Sequence, residues 1–329
     1  MTVSETDGSV GPFRILSLDG GGIKGTYTAS VLASLEEMTG KSLADYFELI
    51  TGTSTGGIIA VGLGLGLAAK QIRDFYVNKG PVLFPPPPRG LIRAAWRWLV
   101  GPKLCQDKLR EAVHEVIGDR RLGESKCRLV IPAFDGVRGS IQLFKTAHAP
   151  EYKQDYLRPA KDVAMGTAAA PTYYPAYTDE AGGAYLDGGV WANSPVMVGL
   201  LEAICVLGRK IEDVEILSIG TTSEPFDVSH RRRRGGIAAW NKGLITLFMQ
   251  AQAEAALGQA RLLTKKRMLR IDAIANPGRF ALDNAAEISD LRCLGEQAAR
   301  QHEAEISRRF LFAPAEPFRP FYTVGQATA

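Results

Sequence analysis

The sequence predicts an α/β protein whose central sheet is mostly parallel and covered by helices on both faces. Short β-branched runs alternate with helical patterns along the chain, as strand–helix–strand units do. The chain has 329 residues, of which 46% are hydrophobic and 22% charged, so it can bury the core of one large domain. Four consecutive prolines at 85–88 interrupt the alternation, within a stretch, 80–103, that we interpret as an insertion or lid.

Six runs have the composition of buried strands, and six segments have helical spacing. The predicted strands are 13–18, 47–52, 127–134, 142–147, 215–220 and 268–273. The predicted helices are 26–38, 56–78, 107–117, 195–208, 240–264 and 286–309. The apolar, glycine-rich stretch 56–69 is too short to span a bilayer. It therefore predicts a buried helix.

Composition and cysteine spacing narrow the class of protein. The formal net charge of +4 is compatible with an anionic lipid or nucleotide but also with a neutral ligand. The first residues lack the basic and apolar regions of a signal peptide. The cysteines, which form no C-x-x-C pair, are Cys105, Cys127, Cys205 and Cys293. We expect a cytoplasmic protein with free thiols, no metal site and no cofactor.

The first motif is the glycine cluster in ILSLDGGGIKG, residues 15–25. Gly20, Gly22 and Gly25 fit the G-x-G-x-x-G pattern of a dinucleotide-binding loop. That fold requires an acidic residue at the end of the next strand, which here ends in ITGTSTGG instead. No G-x-x-x-x-G-K-[ST] motif is present either. A nucleotide-binding protein with GGGIKG as its phosphate loop is thus an alternative that the second strand disfavours.

The second motif, Gly52-Thr53-Ser54-Thr55-Gly56, is G-x-S-x-G between a predicted strand and an apolar helix. In that context a sharp turn presents a serine hydroxyl above the sheet, and glycines are needed where backbones approach closely. A bare G-x-S-x-G is more often a turn without chemistry, but the strand and helix around it favour the catalytic interpretation. Ser54 is the candidate nucleophile.

A serine nucleophile needs a base within hydrogen-bonding distance. The four histidines, none in a context typical of a base, are His114, His148, His230 and His302. Asp187 in YLDGGVWANSP follows an apolar pair and precedes two glycines, as an acid at a strand end would. Asp187 is therefore the candidate base, and an esterase or thioesterase with a Ser-Asp-His triad is the alternative.

The three blocks, a strand with a GGG loop, a strand with G-x-S-x-G and an Asp-Gly-Gly, resemble in this order the patatin-like phospholipases. The resemblance covers about residues 13–220, and AMGTAAAPTYYPAY (164–177) is similar to the Ala-rich helix and Ala-Pro turn before that family's acid. It implies a three-layer α/β/α fold related to α/β hydrolases. It also implies a Ser54–Asp187 dyad without histidine that cleaves phospholipid esters to fatty acid and lysophospholipid.

The resemblance further assigns the glycine loop to an oxyanion hole. The backbone N–H groups that would point at the acyl oxyanion belong to Gly20, Gly21, Gly22 and Ile23. The glycines of the three motifs are Gly25, Gly52, Gly56, Gly188 and Gly189. Many patatins carry Arg at the position of Lys24, so a cation is kept without bidentate geometry. Because a free carboxylate is a weak base, we expect burial to raise the pKa of Asp187.

Within the family, the chain looks closest to bacterial phospholipases that act as effectors in cyclic-oligonucleotide anti-phage defence. That likeness implies an enzyme that stays latent until a cyclic dinucleotide binds, with homo-oligomerisation on activation. It would act on phospholipid at the inner face of the cell membrane and bind neither DNA nor RNA. Basic candidates for the activator are Arg231 to Arg234 and Lys265, Lys266 and Arg267, although solvated charge runs are the commoner explanation of such residues.

The predicted organisation is a flexible N-terminus (1–12), one domain (13–312) and a C-terminal tail (313–329). Within the domain, the predicted lid mixes Arg89, Arg93 and Arg97 with Trp96 and Trp98. Basic residues beside tryptophans suit an anionic headgroup interface. A packed helix with solvent-facing arginines explains the same pattern equally well.

Overall fold

The alternating pattern folds into one eight-stranded sheet between two helical layers. The computed structural model describes residues 11–86, 101–224, 240 and 242–325, with side chains described from 246 onward in the last range. The predicted flexible N-terminus falls outside these residues except for 11–12, as do the centre of the predicted lid (87–100), His230 and the run Arg231 to Arg234.

All six predicted strands are present, together with two further short strands, the second of which ends at Asp187. The strands are β1 (Phe13–Leu18), β2 (Leu49–Gly52), β3 (Arg128–Asp135), β4 (Ser140–Lys145), β5 (Tyr177–Thr178), β6 (Ala184–Asp187), β7 (Val214–Ile219) and β8 (Met268–Ile271). Their order is β5-β6-β3-β2-β1-β7-β8, with β4 paired to β3.

Five neighbouring strands, β3-β2-β1-β7-β8, run parallel. The strands β4, β5 and β6 pair antiparallel at the other edge. Along the chain the sheet grows from β1 to β2 and β3 on one side, and then returns to place β7 on the other side of β1. The carboxyl ends of strands beside such a switch in direction are where ligands bind in open α/β sheets.

Nine α-helices of four or more residues are described. They are α1 (Gly25–Thr39), α2 (Thr55–Gly64), α3 (Ala69–Leu83), α4 (Gln106–Ile117), α5 (Ala160–Thr167), α6 (Gly189–Ala192), α7 (Val196–Leu201), α8 (Lys242–Thr264) and α9 (Ile288–Arg309). Within the described chain, no helix is both long and apolar enough to cross a bilayer.

Alternation along the strands divides the core between the two faces of the sheet. In β1, Leu16 and Leu18 join the larger apolar cluster, which includes residues of α1 to α5 and α9. Phe13 and Ile15 join the smaller cluster, which includes residues of α7 and α8. Successive side chains of a strand point to opposite faces, so one run of apolar residues contributes side chains to the core on each face of the sheet. This arrangement confirms the predicted three-layer α/β/α fold.

Two predicted helices differ from the observed ones. The predicted helix 56–78 is two helices, because α2 ends at Gly64 and Gly66 adopts a left-handed φ of 81° that no helix continues through. The predicted helix 195–208 is α7 followed by a π-helical turn over Glu202–Val206. The buried character expected of the glycine-rich helix is confirmed, since nine of the ten residues of α2 are buried.

The described part of the C-terminal tail, 313–325, lies against the domain. Arg14 in β1 donates to the carbonyls of Phe310 and Ala313, and the Phe321 N–H donates to the Ala147 carbonyl at 2.7 Å. The four cysteines form no disulfide.

Candidate active site

Three loops meet at the carboxyl end of the parallel strands. One follows β1, one follows β2 and one follows β6, and they bring Gly21, Gly22, Ser54 and Asp187 to the wall of a single cavity. The sequence positions of these residues span more than half of the chain. They lie close together because the strands that precede them belong to one sheet.

Ser54 stands on a strained turn between β2 and α2. Its φ of 55° and ψ of −123° lie where non-glycine residues are rarely found. A Cβ at Gly52 would come 2.1 Å from the Gly56 carbonyl oxygen, and a Cβ at Gly56 would come 2.3 Å from the Leu18 oxygen. Both glycines of G-x-S-x-G are therefore required by contact with backbone, as the motif predicts.

Hydrogen bonds from other elements hold this turn in place. The Ser54 N–H donates to the Thr167 hydroxyl at 3.0 Å, and that hydroxyl donates to the Pro132 carbonyl at 2.6 Å. The Thr53 hydroxyl donates to the Ala192 carbonyl at 2.6 Å. The sequence analysis missed Thr167, whose only signal is its place at the end of the Ala-rich helix α5.

Asp187 is buried, with 4% of its surface exposed, at the end of β6. Its carboxylate accepts a hydrogen bond from the Gly189 N–H at 2.6 Å, and it lines the same cavity as Ser54. Burial raises the pKa of Asp187 to about 6, although the Ser54 hydroxyl and the Gly189 N–H both stabilise the ionised form and act in the opposite direction. The expected rise is therefore confirmed, and its cause is the removal of the carboxylate from water.

The glycine loop between β1 and α1 offers fewer free donors than predicted. The Gly20 N–H donates to the Asn193 carbonyl at 2.9 Å, and the Ile23 N–H donates to the Leu282 carbonyl at 3.0 Å. Among the described residues, no group accepts from the N–H of Gly21 or Gly22. These two residues also line the cavity beside Ser54, so two of the four predicted donors are available to a ligand.

Close contacts fix the conformation of the loop. Gly22 has a φ of 57°, and a Cβ there would come 2.4 Å from the Leu282 carbonyl oxygen. At Gly25 a Cβ would come 2.1 Å from the Thr55 hydroxyl oxygen. The first turn of α1 and the first turn of α2 thus touch, which sets the distance between the glycine loop and Ser54.

Lys24 does not line the cavity. Its ammonium donates to the Thr222 carbonyl at 2.8 Å, and burial lowers its pKa. In this structure Lys24 ties the glycine loop to the segment after β7.

A buried ion cluster supports the same loop from behind. Arg270 in β8 contacts Asp19 and Asp272, each at 2.7 Å. Asp19 immediately precedes the glycine loop, and burial raises its pKa. The sequence analysis missed this cluster because its partners are about 250 positions apart and no local pattern joins them.

The cavity over Ser54 is apolar and small. It has a volume of about 60 Å³, well below the range of about 300 to 1,000 Å³ that is typical of small-molecule sites. Leu83, Phe84 and Leu104 contribute to its wall. Leu83 and Phe84 belong to the described start of the predicted lid, and Leu104 directly follows its end.

No described histidine lines the cavity. His148 is buried and bonds Glu202 at 2.9 Å, His114 lies 3.9 Å from Asp119 on the surface, and His302 belongs to α9. In the described ranges, no group of three or more His, Cys, Asp or Glu residues is placed to hold a metal ion.

Comparison with known proteins identifies the family. A family model of patatin-like phospholipases matches residues 16–200, which is more than half of the chain. A cGAMP-activated phospholipase of Vibrio cholerae is 32% identical over 93% of this chain and 96% of its own length. A cGAMP-activated phospholipase of Pseudomonas aeruginosa is 33% identical over 88% of each chain.

Among solved structures, VipD from Legionella pneumophila aligns with a TM-score of 0.48 at 12% identity, over 91% of this chain and 67% of VipD. The family match over most of the domain and the full-length relatives agree. The chain belongs to the patatin-like phospholipase family and is a lipid ester hydrolase.

Proposed function

We propose that this protein hydrolyses membrane phospholipids through a Ser54–Asp187 dyad and that a cyclic dinucleotide activates it. The observation that carries the dyad is the position of the buried Asp187 carboxylate, which lies with Ser54 at the wall of one apolar cavity and whose ionised form the Ser54 hydroxyl stabilises. A base with a pKa of about 6 is largely ionised at neutral pH and is far stronger than a solvated carboxylate.

In the acylation step, Ser54 Oγ attacks the ester carbonyl carbon while Asp187 accepts the hydroxyl proton. The carbonyl oxygen becomes an oxyanion that the N–H groups of Gly21 and Gly22 stabilise. Each such donor contributes on the order of 10² to 10³ in rate. The proton then passes from Asp187 to the lysophospholipid oxygen as the carbon–oxygen bond breaks.

In the deacylation step, a water molecule attacks the acyl-enzyme. Asp187 accepts the water proton and returns it to Ser54 Oγ as the fatty acid leaves. One carboxyl group therefore serves as base and acid in both halves of the cycle, which requires no histidine.

The small cavity supports a latent resting state. An acyl chain does not fit in about 60 Å³, so the wall must move before a phospholipid can bind. The relatives named as cGAMP-activated cover this chain almost end to end, and we extend their mode of activation to this protein. The enzyme would act at the inner face of the cell membrane, with homo-oligomerisation as a route to the open state.

The test measures fatty acid release from phospholipid vesicles by purified protein, with and without a panel of cyclic dinucleotides. We expect release only with an activator, and none from Ser54→Ala or Asp187→Asn. Ser140→Ala, a change of an exposed serine in β4, serves as the matched control and keeps full activity. Equal release with and without every dinucleotide would remove the activation, and full activity of Ser54→Ala would remove the dyad.

A further inference from the structure

A second cavity lies at the opposite end of the parallel strands from Ser54. Its volume is about 530 Å³, within the range of about 300 to 1,000 Å³ that is typical of small-molecule sites. The starts of β2 and β3 form one side of it, and residues 314–318 of the C-terminal segment form the other.

Three cations and three carboxylates line this second cavity. The cations are Lys41, Lys126 and Arg128, and none of them forms an ion pair with any described residue. The Nε of Arg128 is buried and has no acceptor among the described residues. Neighbouring Arg14 differs, because its guanidinium pairs with Glu48 at 3.0 Å. Cations outside any ion pair and a buried free donor are features that an anionic ligand satisfies.

The remaining walls suit nucleobases. The Phe318 ring stacks on the Arg128 guanidinium, 5.2 Å from the ring centroid, and an aromatic ring and a guanidinium plane are both surfaces on which bases stack. Asp45 and Glu316 also line the cavity and form no ion pair with a described residue. Their carboxylates can accept hydrogen bonds from the amino and imino groups of purines, groups that an inorganic polyanion lacks.

We propose that this second cavity is the site that binds the activating cyclic dinucleotide, with its phosphates on Lys41, Lys126 and Arg128 and a base on Phe318. This inference rests on the proposed activation and names the binding site of the activator. The bases compete with the Arg128–Phe318 contact, so binding moves the C-terminal segment that carries Phe318.

Three strands connect this cavity to the active site. The chain runs from Glu48 at the cavity through β2 to Ser54, and from Arg128 through β3 to Pro132, whose carbonyl accepts from Thr167. At about 3.3 Å per residue, the six steps from Glu48 to Ser54 cover at most about 20 Å. Arg14 at the start of β1 bonds both Glu48 and the carbonyl of Ala313. A shift of the C-terminal segment therefore reaches the strands that end at the catalytic loops.

The test is direct binding of cGAMP to the full-length protein by calorimetry, independent of lipid hydrolysis. We expect Lys126→Gln and Arg128→Gln to weaken binding at least tenfold, and Ser54→Ala to bind as the wild type does. Lys126 is exposed, so its replacement does not threaten folding. Lys153→Gln, another exposed lysine outside the cavity, is the matched control and should bind normally.

Four outcomes overturn the assignment. They are wild-type affinity in both cavity variants, no cGAMP binding by the wild type, inorganic pyrophosphate binding as tightly as cGAMP, and equal losses in Lys153→Gln and Lys126→Gln. The proposed hydrolysis fails separately. Cavity-dependent binding of cGAMP without fatty acid release would remove the hydrolase mechanism and leave the binding site.

Discussion

At the scale of single residues, the proposed role of Asp187 as the base implies both a pH range for the reaction and a cost in stability. Its carboxylate lies in a buried, largely apolar environment with two hydrogen-bond donors. The pKa of about 6 represents a compromise, because a lower value would weaken the base and a higher one would leave it protonated at neutral pH. Two predictions follow from this single group, one kinetic and one thermodynamic.

The first prediction concerns the acid limb of the pH–rate profile. Protonated Asp187 cannot accept the Ser54 proton, so kcat/KM of the activated enzyme should rise with pH, with a midpoint near 6, and level off above about pH 7. The measurement is the initial rate of ester hydrolysis between pH 4.5 and about 8. Disappearance of this limb on replacing any one histidine would show that imidazole is the base.

The second prediction concerns the stability of Asp187→Asn. The pKa of Asp187 is raised in the folded protein, so the folded state loses stability as pH rises from the unfolded value of about 3.9 to the folded value of about 6. The cost at neutral pH is about 3 kcal/mol at most, at 1.36 kcal/mol per pH unit. The uncharged amide side chain of the Asp187→Asn variant does not have this cost.

We therefore expect Asp187→Asn to raise Tm at pH 8 relative to the wild type, and the difference to shrink towards pH 4. Thermal unfolding at several pH values measures this. An exposed aspartate, Asp213→Asn, is the control and should change little. A variant less stable than the wild type at pH 8 would contradict the account of a buried, uncompensated charge.

At the scale of elements, the site depends on how neighbouring loops brace one another. The turn that carries Ser54 is held by α5 through Thr167 and by the loop after β6 through Thr53. The glycine loop is held by the segments that contain Asn193 and Leu282. The positions of the Ser54 turn and of the glycine loop therefore both depend on residues that are distant in the sequence.

The third prediction tests Thr167 as a positioning residue. Thr167→Val keeps the shape but removes the acceptor of the Ser54 N–H and the hydrogen bond to the Pro132 carbonyl, and a buried group left unsatisfied costs about 1 to 3 kcal/mol. Because displacement of a reacting group by about 1 Å can cost 10² in rate, we expect kcat to fall about 10²-fold with KM little changed. Thr167→Ser retains the hydroxyl and should restore kcat. Equal losses in both variants would assign Thr167 to packing alone.

The fourth prediction tests the glycine loop. Gly22→Ala places a Cβ 2.4 Å from the Leu282 oxygen at a φ of 57°, so the loop must shift and the Gly21 and Gly22 donors move. Loss of one oxyanion donor costs about 10² to 10³ in kcat. Gly139→Ala is the matched control, because Gly139 has a φ of 65° with open space around it.

Gly139→Ala should therefore lower Tm, through backbone strain, without lowering kcat. Single-turnover acylation by an activated ester separates the two effects. A normal acylation rate in Gly22→Ala would mean that the loop has no part in stabilising the oxyanion.

The elements that carry the site could be predicted from the sequence because their signals are local. Strand, glycine turn and helix follow one another within a few positions in both 13–25 and 49–64. What could not be predicted depends on distant partners. The carbonyls that occupy the N–H groups of Gly20 and Ile23 belong to Asn193 and Leu282, and no local pattern indicates that two of four adjacent donors are used in this way.

At the scale of the whole molecule, the sheet separates a small apolar cavity at one end of its strands from a larger cavity with charged walls at the other. A ligand shifts a conformational equilibrium only by its difference in affinity for the two states. To change the open fraction from about 1% to 99%, the dinucleotide must bind the open state about 10⁴-fold more tightly, which is about 5.5 kcal/mol. Coupling of this kind is reciprocal. If the dinucleotide opens the acyl cavity, occupancy of that cavity must in turn raise the affinity for the dinucleotide.

The fifth prediction uses this reciprocity. A long-chain alkyl fluorophosphonate bound covalently to Ser54 forces its chain into a cavity of about 60 Å³ and so holds the protein open. A methyl fluorophosphonate forms the same bond to Ser54 but needs no such opening. We expect the long-chain adduct to bind cGAMP more tightly than the unmodified protein by a factor of about 5 to 150, the usual range of allosteric coupling. The methyl adduct should keep the affinity of the unmodified protein, since modification of Ser54 alone does not move the cavity wall. Calorimetric titration of the three species measures the effect, and equal affinities would show that the two cavities are not coupled.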